Sequence, residues 1–579
     1  MHDVVIIGGG PAGSTAGTFL KKFRPELDVL ILEREKFPRD HVGESLLPVI
    51  SRILYDMGCW DKIEAANFPI KIGATYRWGR CKELWDFEFF PSKLFKEEPR
   101  PAPFDGQRVW TALQVDRAIY DKILLDHAEE MGCEVRQETR VVKVGREGDR
   151  VTGLTLESGE TVEGRFYFDA SGNSAILRKS LGVKTEVPTS LQNIAIWDYW
   201  QNAEWAVEIG VGATRIQVLS LSYGWIWFIP LGPTRTSIGL VVPVDFYKRC
   251  GMKPQELYLR ALAEEDMIAA LIKDATCEGK LQTTNDWSFL SERHVGENWF
   301  LVGESSGFAD PILSAGLSVT HVSAKEAAFT VLELLNGKED RSWLLNEYEQ
   351  RQNNRIRSHI RFADYWYTVN AQFSDLKEFT QKIAADNGLD LSPDKAWAWL
   401  AQGGFIDSGA NIGSAGFTLD SMKKLGEFLT ELSPEPITET KNVFKLDLSN
   451  ATWQDRALYR EGRVQRIGSY MRGSHVLPLI GVLDFSVQVL QRASRIDVIM
   501  DILRQAANDR KTDTAFVNDV IGRFPHALEA MISDGWITAS LDPNVPMGKL
   551  PVRVSDIFRW NEDNREGSTQ GRVETSQAL

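Results

Sequence analysis

The chain has 579 residues, with 66 Lys and Arg, 80 Asp and Glu, and a formal net charge of −14. This length predicts two or three domains, and the 43% hydrophobic content is typical of a globular protein. The acidic balance argues against nucleic acid or an anionic membrane surface as the main partner.

The sequence favours a cytoplasmic protein without a membrane span or a metal site. The first predicted strand begins near residue 3, which leaves no room for a signal peptide. The longest apolar stretch, Val476 to Leu490, is interrupted by Pro478 and Asp484, so it predicts no transmembrane segment. The cysteines are scattered without any Cys-x-x-Cys pair, which suits a reducing compartment; they are Cys59, Cys81, Cys133, Cys250 and Cys277.

The first thirty residues predict a strand, a turn and a helix in close succession. Val4 to Ile7 is a short β-branched run, and it is followed by the glycine-rich turn of residues 8–13. Ser14 to Phe23 predicts a helix, and Val29 to Leu32 predicts the next strand. This order is typical of the Rossmann-type dinucleotide fold.

Three glycines of this turn each have a separate structural role. Gly8 allows the tight turn, Gly10 lets the backbone approach a pyrophosphate, and Gly13 lets the helix pack closely on the strand. The helix N-terminus, beside Ala12, offers free N–H groups to the diphosphate. Glu33 ends the second strand and can accept a hydrogen bond from a ribose hydroxyl, which favours an adenosine without a 2′-phosphate.

Two short motifs after this unit carry a family resemblance. Phe37-Pro38-Arg39 is followed by the hexapeptide Gly43 to Pro48 (GESLLP). In this order after GGGPAG, the motifs resemble the flavin-dependent halogenases, in the branch that includes the chloramphenicol and chondrochloren halogenases and acts on phenols, pyrroles and carrier-bound aromatics. That resemblance implies an α/β, glutathione-reductase-like FAD domain shared with the aromatic hydroxylases. The alternative for the hexapeptide is a loop-to-helix junction with Ser45 as N-cap.

Lys71 opens the predicted strand Phe68 to Gly79, whose hairpin partner is predicted at Trp85 to Phe90. A lysine at a strand start is ordinarily a solvated edge residue. In the halogenases, however, a lysine just before a GATFxWG-like strand is the catalytic amine, so the resemblance implies that role for Lys71.

Arg117 precedes the predicted helix Ala118 to Met131, and the resemblance places it near the flavin; a salt bridge at the helix start is the alternative. Residues 134–168 predict alternating strands, and Asp169 follows them at a turn that resembles the second flavin-facing turn of the fold. Trp225 and Trp227 lie two residues apart and so point to one face of a strand. Spacing alone favours core residues, whereas the resemblance implies a wall between flavin and substrate.

The segment Trp299 to Leu317 resembles the family motif GDAAxFxDPxxSxG, with Glu304 in place of the usual aspartate. The resemblance implies that the turn from Ser314 to Gly316 holds a halide on backbone N–H groups, before a helix that runs through Leu334. Tryptophan halogenases carry a catalytic glutamate one residue before that serine, and Leu313 stands there in this chain. Tryptophan is therefore not the expected substrate.

We predict an FAD-binding core over residues 1–375, with a substrate-side sheet at about 60–110 and 190–290. Residues 376–579 predict a mostly α-helical region with a Gly/Ser-rich loop at 403–416, three short helices between Ile496 and Trp536, and a disordered tail from about 561. The helix that carries Arg351, Arg355 and Arg357 either docks an acidic carrier protein or is an ordinary solvated face.

The resemblance implies an FADH2-dependent halogenase that makes hypohalous acid from a flavin C4a-hydroperoxide and chloride or bromide. Lys71 would then deliver the halogen to an electron-rich phenolic or pyrrolic ring, free or carrier-tethered. A carboxylate would take the ring proton, with Glu83, Asp86 and Glu88 as candidates. Because no second nucleotide fingerprint appears, we expect a separate flavin reductase. The alternatives are a single-component FAD-dependent aromatic monooxygenase and a non-catalytic flavin-binding partner protein.

The predicted site residues fall into three groups. The catalytic residues are Lys71, Trp225 and Trp227, and the halide ligands are Ser314, Ala315 and Gly316. The cofactor-binding residues are Gly8, Gly10, Ala12, Gly13, Glu33, Arg39, Glu44, Ser45, Arg117, Asp169, Glu304, Pro311, Gly316 and Leu317.

Overall fold

The protein is represented by a computed structural model that describes residues 1–78, 84–90, 92–187, 192–206, 213–369, 437–472, 475–508, 520–548, 550 and 558–560. Its helices are α1 (Pro11–Phe23), α2 (Pro48–Met57), α3 (Trp60–Ala65), α4 (Arg117–Glu130), α5 (Ile176–Ser180), α6 (Val244–Cys250), α7 (Pro254–Glu264), α8 (Asp266–Leu271), α9 (Gly316–Asn336), α10 (Arg341–Val369), α11 (Ile437–Thr440), α12 (Gly481–Arg492), α13 (Ile496–Asn508) and α14 (Phe524–Ser533).

The strands up to residue 308 are β1 (His2–Ile7), β2 (Val29–Leu32), β3 (Ile70–Arg77), β4 (Trp85–Glu88), β5 (Ala112–Leu113), β6 (Glu134–Arg136), β7 (Val141–Glu147), β8 (Arg150–Leu156), β9 (Thr161–Val162), β10 (Gly164–Asp169), β11 (Thr185–Glu186), β12 (Gln192–Gln201), β13 (Ala213–Leu221), β14 (Gly224–Pro230), β15 (Arg235–Pro243), β16 (Thr276–Cys277), β17 (Gln282–Trp287), β18 (Phe289–Ser291), β19 (Trp299–Leu301) and β20 (Gly307–Phe308). The later strands are β21 (Val443–Leu446), β22 (Thr452–Arg460), β23 (Arg463–Arg472), β24 (His475–Pro478), β25 (Ile537–Ser540) and β26 (Phe558–Trp560).

The dinucleotide unit forms a parallel five-stranded sheet in the order β19-β10-β1-β2-β6. The predicted strand–turn–helix–strand is confirmed, and α1 begins at Pro11, earlier than the predicted Ser14. Proline suits the first helical position because its φ is already helical and the missing N–H would have no partner there. Val4 and Ile6 join the core cluster that contains the α1 residue Phe19, whereas Val5 and Ile7 join a second cluster. Both faces of β1 are thus buried, as the apolar run predicts.

The second large sheet has ten strands, and its main path runs β16-β12-β15-β14-β13-β3-β4-β26. The predicted β3–β4 hairpin is confirmed, with Thr75 opposite Asp86 in antiparallel pairing. On its other side β3 runs parallel to β13, and the register shifts between Thr214 and Arg215, which pair with Lys71 and Gly73. Such bulges redirect a side chain locally.

The C-terminal region combines helices with strands that the sequence did not predict. Helices α12, α13 and α14 surround a core that includes Phe444 and Trp536. A three-stranded antiparallel sheet, β22-β23-β24, and the pair β21-β25 accompany them. The predicted domain boundary at 375, the loop at 403–416 and the tail from 561 lie outside the described residues, as do residues 509–519 of the predicted helical trio. No helix in the described ranges is long and apolar enough to span a bilayer.

The arginine-bearing helix α10 does not present the predicted docking surface. Arg351 and Arg355 are largely buried, and both donate to the Glu326 carboxylate of α9. Arg357 is more exposed and pairs with Glu186. The carrier-docking hypothesis is wrong for this helix because two of the three cations join α10 to α9.

Candidate active site

A cavity of about 1,130 Å³ extends from the glycine turn to the start of α9. Its walls come from the β1–α1 turn, the end of β2, residues 39–45, strand β14 and residues 311–320. The predicted cofactor residues that line it are Gly8, Gly10, Ala12, Glu33, Arg39, Glu44, Ser45, Arg117, Glu304, Pro311, Gly316 and Leu317. Segments far apart in the chain therefore meet at one site.

The glycine turn separates a binding position from two structural positions. A Cβ at Gly8, where φ is +107°, would lie 2.3 Å from the Ala170 carbonyl oxygen, and one at Gly13 would lie 1.9 Å from the Gly8 oxygen. A Cβ at Gly10 would meet only Arg39 Nη2, at 3.4 Å. Gly10 thus keeps open the space that a pyrophosphate needs, as expected for this turn.

Glu33 serves the turn and lines the cavity at once. Its Oε2 accepts from the Gly9 N–H at 2.7 Å, and its Oε1 accepts from the Glu35 N–H at 2.8 Å. An ionised carboxylate has about four lone-pair sites, so these two bonds leave capacity for a ribose hydroxyl.

Both predictions for Arg117 are compatible with its surroundings. Its Nε donates to Asp121 Oδ1 at 2.7 Å, as in a helix-start salt bridge, and its Nη1 donates to the Val42 carbonyl at 2.7 Å. The residue also lines the cavity, where Arg39 contacts the same Asp121 carboxylate at 3.3 Å. Asp121 fixes both cations, and the sequence analysis did not identify it.

Asp169 is not among the residues that line the cavity, and its predicted cofactor role stays a prediction. Its carboxylate accepts from the backbone N–H groups of Leu177 at 2.8 Å and Arg178 at 3.1 Å, and from Ser171 Oγ at 2.5 Å. Burial raises the pKa of this carboxyl. Asp169 shapes the turn, while its neighbours Ala170 and Ser171 line the cavity.

The GESLLP segment lines the cavity through Glu44 and Ser45. Glu44 is 1% exposed, its Oε1 accepts from Tyr199 Oη at 3.0 Å, and burial raises its pKa to about 7. The segment does lead from a loop into α2, which begins at Pro48, but the N-cap is Leu47 and not Ser45 as the helix-junction alternative proposed. Ser45 Oγ is buried and has no hydrogen-bond partner among the residues that the structure describes, which is expected where a ligand supplies the partner. The cavity, the open space at Gly10 and the buried Ser45 hydroxyl therefore fit a bound FAD.

Trp225 and Trp227 project from one face of β14 into the cavity, and their ring centroids are 6.0 Å apart. Trp227 Nε1 donates to Ser237 Oγ at 3.1 Å, and Trp225 Nε1 donates to Tyr367 Oη at 2.8 Å. Both rings are therefore fixed by a hydrogen bond as well as by packing, so they can act as a rigid wall.

The turn before α9 has the backbone shape of an anion nest. Ser314 is left-handed, with φ of +55°, and its N–H donates to the Pro311 carbonyl at 2.9 Å. The next two N–H groups, of Ala315 and Gly316, stand at the start of α9, where intrahelical acceptors are missing. Ala315 and Gly316 also line a second cavity of about 10 Å³, beside Glu304. Burial raises the pKa of Glu304, an effect that Arg117 opposes.

Lys71 is 2% exposed, so it is not the solvated edge residue that spacing alone favours. Its Nζ donates to the Leu46 carbonyl at 2.9 Å and lies 5.3 Å from the Phe89 ring centroid. Burial lowers its pKa from 10.5 to about 7. Lys71 is not among the residues that line the cavity, but its hydrogen-bond partner Leu46 directly follows Ser45, which is.

Two of the three candidate bases share one cation. Arg215 contacts the carboxylates of Asp86 and Glu88, and Asp86 Oδ1 also accepts from Thr75 Oγ1 at 2.6 Å. All of these groups are buried. Glu83 lies outside the described residues.

Comparison with known proteins agrees with this geometry. A family model described as "Tryptophan halogenase" matches residues 3–98 and 95–376. A "Tryptophan 2-halogenase" of Chondromyces crocatus is 32% identical over 378 residues, which are 64% of this chain and 68% of that protein. The chain belongs to the flavin-dependent halogenases. The halogenase is thus an FAD-dependent oxidoreductase, and its predicted fold class is confirmed.

Two further relatives extend the comparison. A "1H-pyrrole-2-carbonyl-[peptidyl-carrier protein] chlorinase" of Pseudomonas fluorescens is 29% identical over 387 residues, covering 64% of the halogenase and 85% of that protein. The solved structure of the flavin-dependent halogenase CmlS has a TM-score of 0.69 at 24% identity and covers 95% of the halogenase and 98% of that chain. At 24% identity the match to CmlS supports the fold alone, and it does so over nearly the whole chain.

Sequence reasoning did not identify the tyrosines that fix the site. Tyr199 is bound to Glu44, 155 residues away, and Tyr367 is bound to Trp225, 142 residues away. Tyr367 Oη also donates to Asp310 at 3.1 Å, and burial raises the pKa of Asp310 to about 7. No local pattern marks a tyrosine for such long-range bonds.

Proposed function

We propose that the halogenase transfers an electrophilic halogen to an electron-rich aromatic ring through Lys71. Reduced FAD, when bound, reacts with oxygen and supplies the oxidising equivalent that turns halide into hypohalous acid. The residues that would hold FAD are the glycine turn, Glu33, Arg117 and the segment at Glu44 and Ser45. Ala315 and Gly316 would hold the halide on their N–H groups.

The burial of the Lys71 amine is the observation that carries this proposal. A pKa near 7 leaves about half of the amine neutral at neutral pH, whereas a solvated lysine is almost entirely protonated. A neutral amine has a lone pair and can react with hypohalous acid. Its only protein hydrogen-bond acceptor in the described residues is the Leu46 carbonyl.

The transfer balances without a further reactant. The amine and hypohalous acid give a haloamine and water, with the nitrogen–halogen bond replacing the oxygen–halogen bond. The ring then takes the halogen as a cation equivalent, Lys71 regains a proton, and a base removes the ring proton. In the weaker form of the proposal, Lys71 only steers hypohalous acid by hydrogen bonding. Trp225 and Trp227 would keep the organic ring away from the flavin in either form.

We propose a phenolic or pyrrolic substrate, free or carrier-tethered. Leu313 replaces the glutamate expected of tryptophan halogenases, and one relative acts, by its name, on a carrier-bound pyrrole. The name of the Chondromyces relative makes tryptophan the second candidate. A panel of tryptophan, phenols and pyrrolyl carrier protein, each with bromide, separates these candidates by mass spectrometry.

Replacing Lys71 tests the proposal directly. Lys71→Ala should retain FAD affinity, oxygen consumption and peroxide release, yet lose halogenated product by about a thousandfold, or about 4 kcal/mol of barrier. Lys71→Arg should fail equally, because a guanidinium stays protonated. Flavin fluorescence, oxygen electrode traces and product mass spectrometry give the three readouts.

Two results would contradict the proposal. Near-normal halogenation by Lys71→Ala would remove the lysine from the transfer step. Hydroxylated product without any halogenated product from the wild type would instead favour the single-component monooxygenase alternative.

A further inference from the structure

A buried polar network joins the tryptophan wall to the turn that precedes α9. Tyr367 Oη, on α10, accepts from Trp225 Nε1 at 2.8 Å and donates to Asp310 Oδ1 at 3.1 Å. Asn193 Nδ2, on β12, lies 3.3 Å from both the tyrosine oxygen and Asp310 Oδ2. All four residues are buried.

The same carboxylate shapes the turn on its other side. Asp310 Oδ1 accepts from the Ile312 N–H at 2.9 Å and so caps the single helical turn Pro311–Leu313. That turn delivers the chain into the left-handed Ser314 and then into the first N–H groups of α9. The orientation of those N–H groups therefore depends on where Asp310 is held.

We infer that Tyr367 is a positioning residue that holds the halide-binding turn and the Trp225 ring in a fixed position relative to each other. Because the tyrosine oxygen is bonded to both, neither the indole nor the carboxylate can shift without breaking a buried hydrogen bond. Breaking such a bond leaves a desolvated polar group without a partner, which is costly. This inference rests on the proposed halide site at Ala315 and Gly316.

The physical consequence is that halide affinity and the position of the Trp225 ring both depend on the Tyr367 hydroxyl. Without the hydroxyl, Asp310 loses a donor and the Trp225 indole N–H loses its acceptor, while the phenyl ring still fills the space. The turn and the indole then gain freedom at once. Halide capture should weaken, and more oxidising equivalents should be lost as hydrogen peroxide, although the distant pyrophosphate end of the cavity is unchanged.

The experiment is a bromide titration of the full chain with FAD, a flavin reductase and a phenolic probe. Tyr367→Phe should raise the bromide KM about tenfold, equivalent to about 1.4 kcal/mol, and raise the peroxide released per product formed. The FAD dissociation constant should stay within twofold of wild type. In a Trp225→Phe background, the same substitution should still raise the bromide KM, because the bond to Asp310 is still lost, but it should add less to peroxide release, because the bond to the indole is already absent.

Tyr348→Phe is the matched control. Tyr348 lies on the same helix, is also buried and donates to the Leu301 carbonyl at 2.8 Å, and neither Tyr348 nor Leu301 lines the cavity. It should lower the melting temperature by a similar amount while leaving the bromide KM unchanged. A purely structural role for Tyr367 would make the two variants indistinguishable.

Three outcomes overturn the inference. If the wild type shows a saturable bromide dependence and Tyr367→Phe has the same bromide KM, Tyr367 has no positioning role, although the proposed halide site stands. An equal rise in Tyr348→Phe shows a general loss of rigidity. A wild type that makes halogenated product without any saturable halide dependence removes the proposed halide site, and the inference with it.

Discussion

At the scale of single residues, Gly10 and Gly13 occupy the same turn in different surroundings. A side chain at Gly10 would project into the cavity with only Arg39 Nη2 nearby, whereas one at Gly13 would collide with the Gly8 carbonyl. We therefore expect Gly10→Val to fold with a melting temperature close to that of wild type, yet to lose FAD affinity by at least about a hundredfold, or about 2.7 kcal/mol. Flavin fluorescence and thermal unfolding of the apoprotein provide the measurements.

Gly13→Val is the contrasting variant. It should lose stability before any effect on FAD can be measured, because backbone atoms cannot yield to a Cβ at 1.9 Å. Normal flavin retention in folded Gly10→Val protein would rule out the placement of the pyrophosphate.

Lys71 should make the fold less stable in a pH-dependent way. Its pKa is about 7 in the folded chain and ordinary, near 10.5, in the unfolded chain, so the unfolded state binds more protons between these values. The loss of folding stability caused by burying the charged amine has its full value below pH 7 and disappears as the pH rises towards 10.5. Lys71→Met should therefore raise the free energy of unfolding at pH 7 by about 4 kcal/mol, and by progressively less above it. Urea unfolding at pH 7, 8.5 and 10 checks this, and an equal gain at all three values would contradict it.

At the scale of elements, α9 and α10 are joined by one carboxylate and two guanidinium groups. Burial alone would raise the pKa of Glu326, but Arg355 and Arg351 lower it to about 2. Its contribution to stability is complete above its ordinary value near 4.5 and is lost as the pH falls to 2. Glu326→Gln should cost about 3–5 kcal/mol at pH 7, because it removes the buried carboxylate that both guanidinium groups contact. The difference from wild type should shrink between pH 4.5 and 2.

Glu186→Gln supplies the control, because it removes the partner of Arg357 in an exposed pair. Its cost should stay below about 1 kcal/mol at every pH. If both variants have the same effect in thermal unfolding, the buried junction does not hold the two helices together.

At the scale of the whole molecule, the described chain has one nucleotide-type turn, in the parallel sheet, and the cavity it opens extends to the ten-stranded sheet. We propose that reduced flavin comes from a separate reductase. Purified halogenase with FAD, oxygen, bromide and NADH should therefore make no product and oxidise NADH only at the background rate. Adding a flavin reductase, or FAD reduced chemically, should start halogenation.

NADH oxidation by the purified chain alone would contradict this and support a single-component enzyme. The readout is absorbance at 340 nm, followed together with product formation. An unrelated flavin reductase should work as well as any other, since it needs to supply only free reduced flavin.

The sequence by itself determined the dinucleotide unit, the β3–β4 hairpin and the family. These depend on local spacing: β1, the turn and α1 lie within residues 2–23, and the roles predicted for Gly8, Gly10 and Glu33 rest on their order in the chain. The motifs at residues 43–48, 70–79 and 224–230 are also contiguous. A pattern read along the chain is sufficient for features of this kind.

Only the tertiary structure decided what surrounds each side chain. The pKa of Lys71, the Tyr199 bond to Glu44 and the burial of Arg351 and Arg355 depend on segments far away in sequence. The Asp169 carboxylate accepts from backbone N–H groups at the start of α5, a contact that no local pattern predicted. The physical reason is that burial and long-range hydrogen bonds are set by how elements pack, and no local pattern encodes which distant groups will meet.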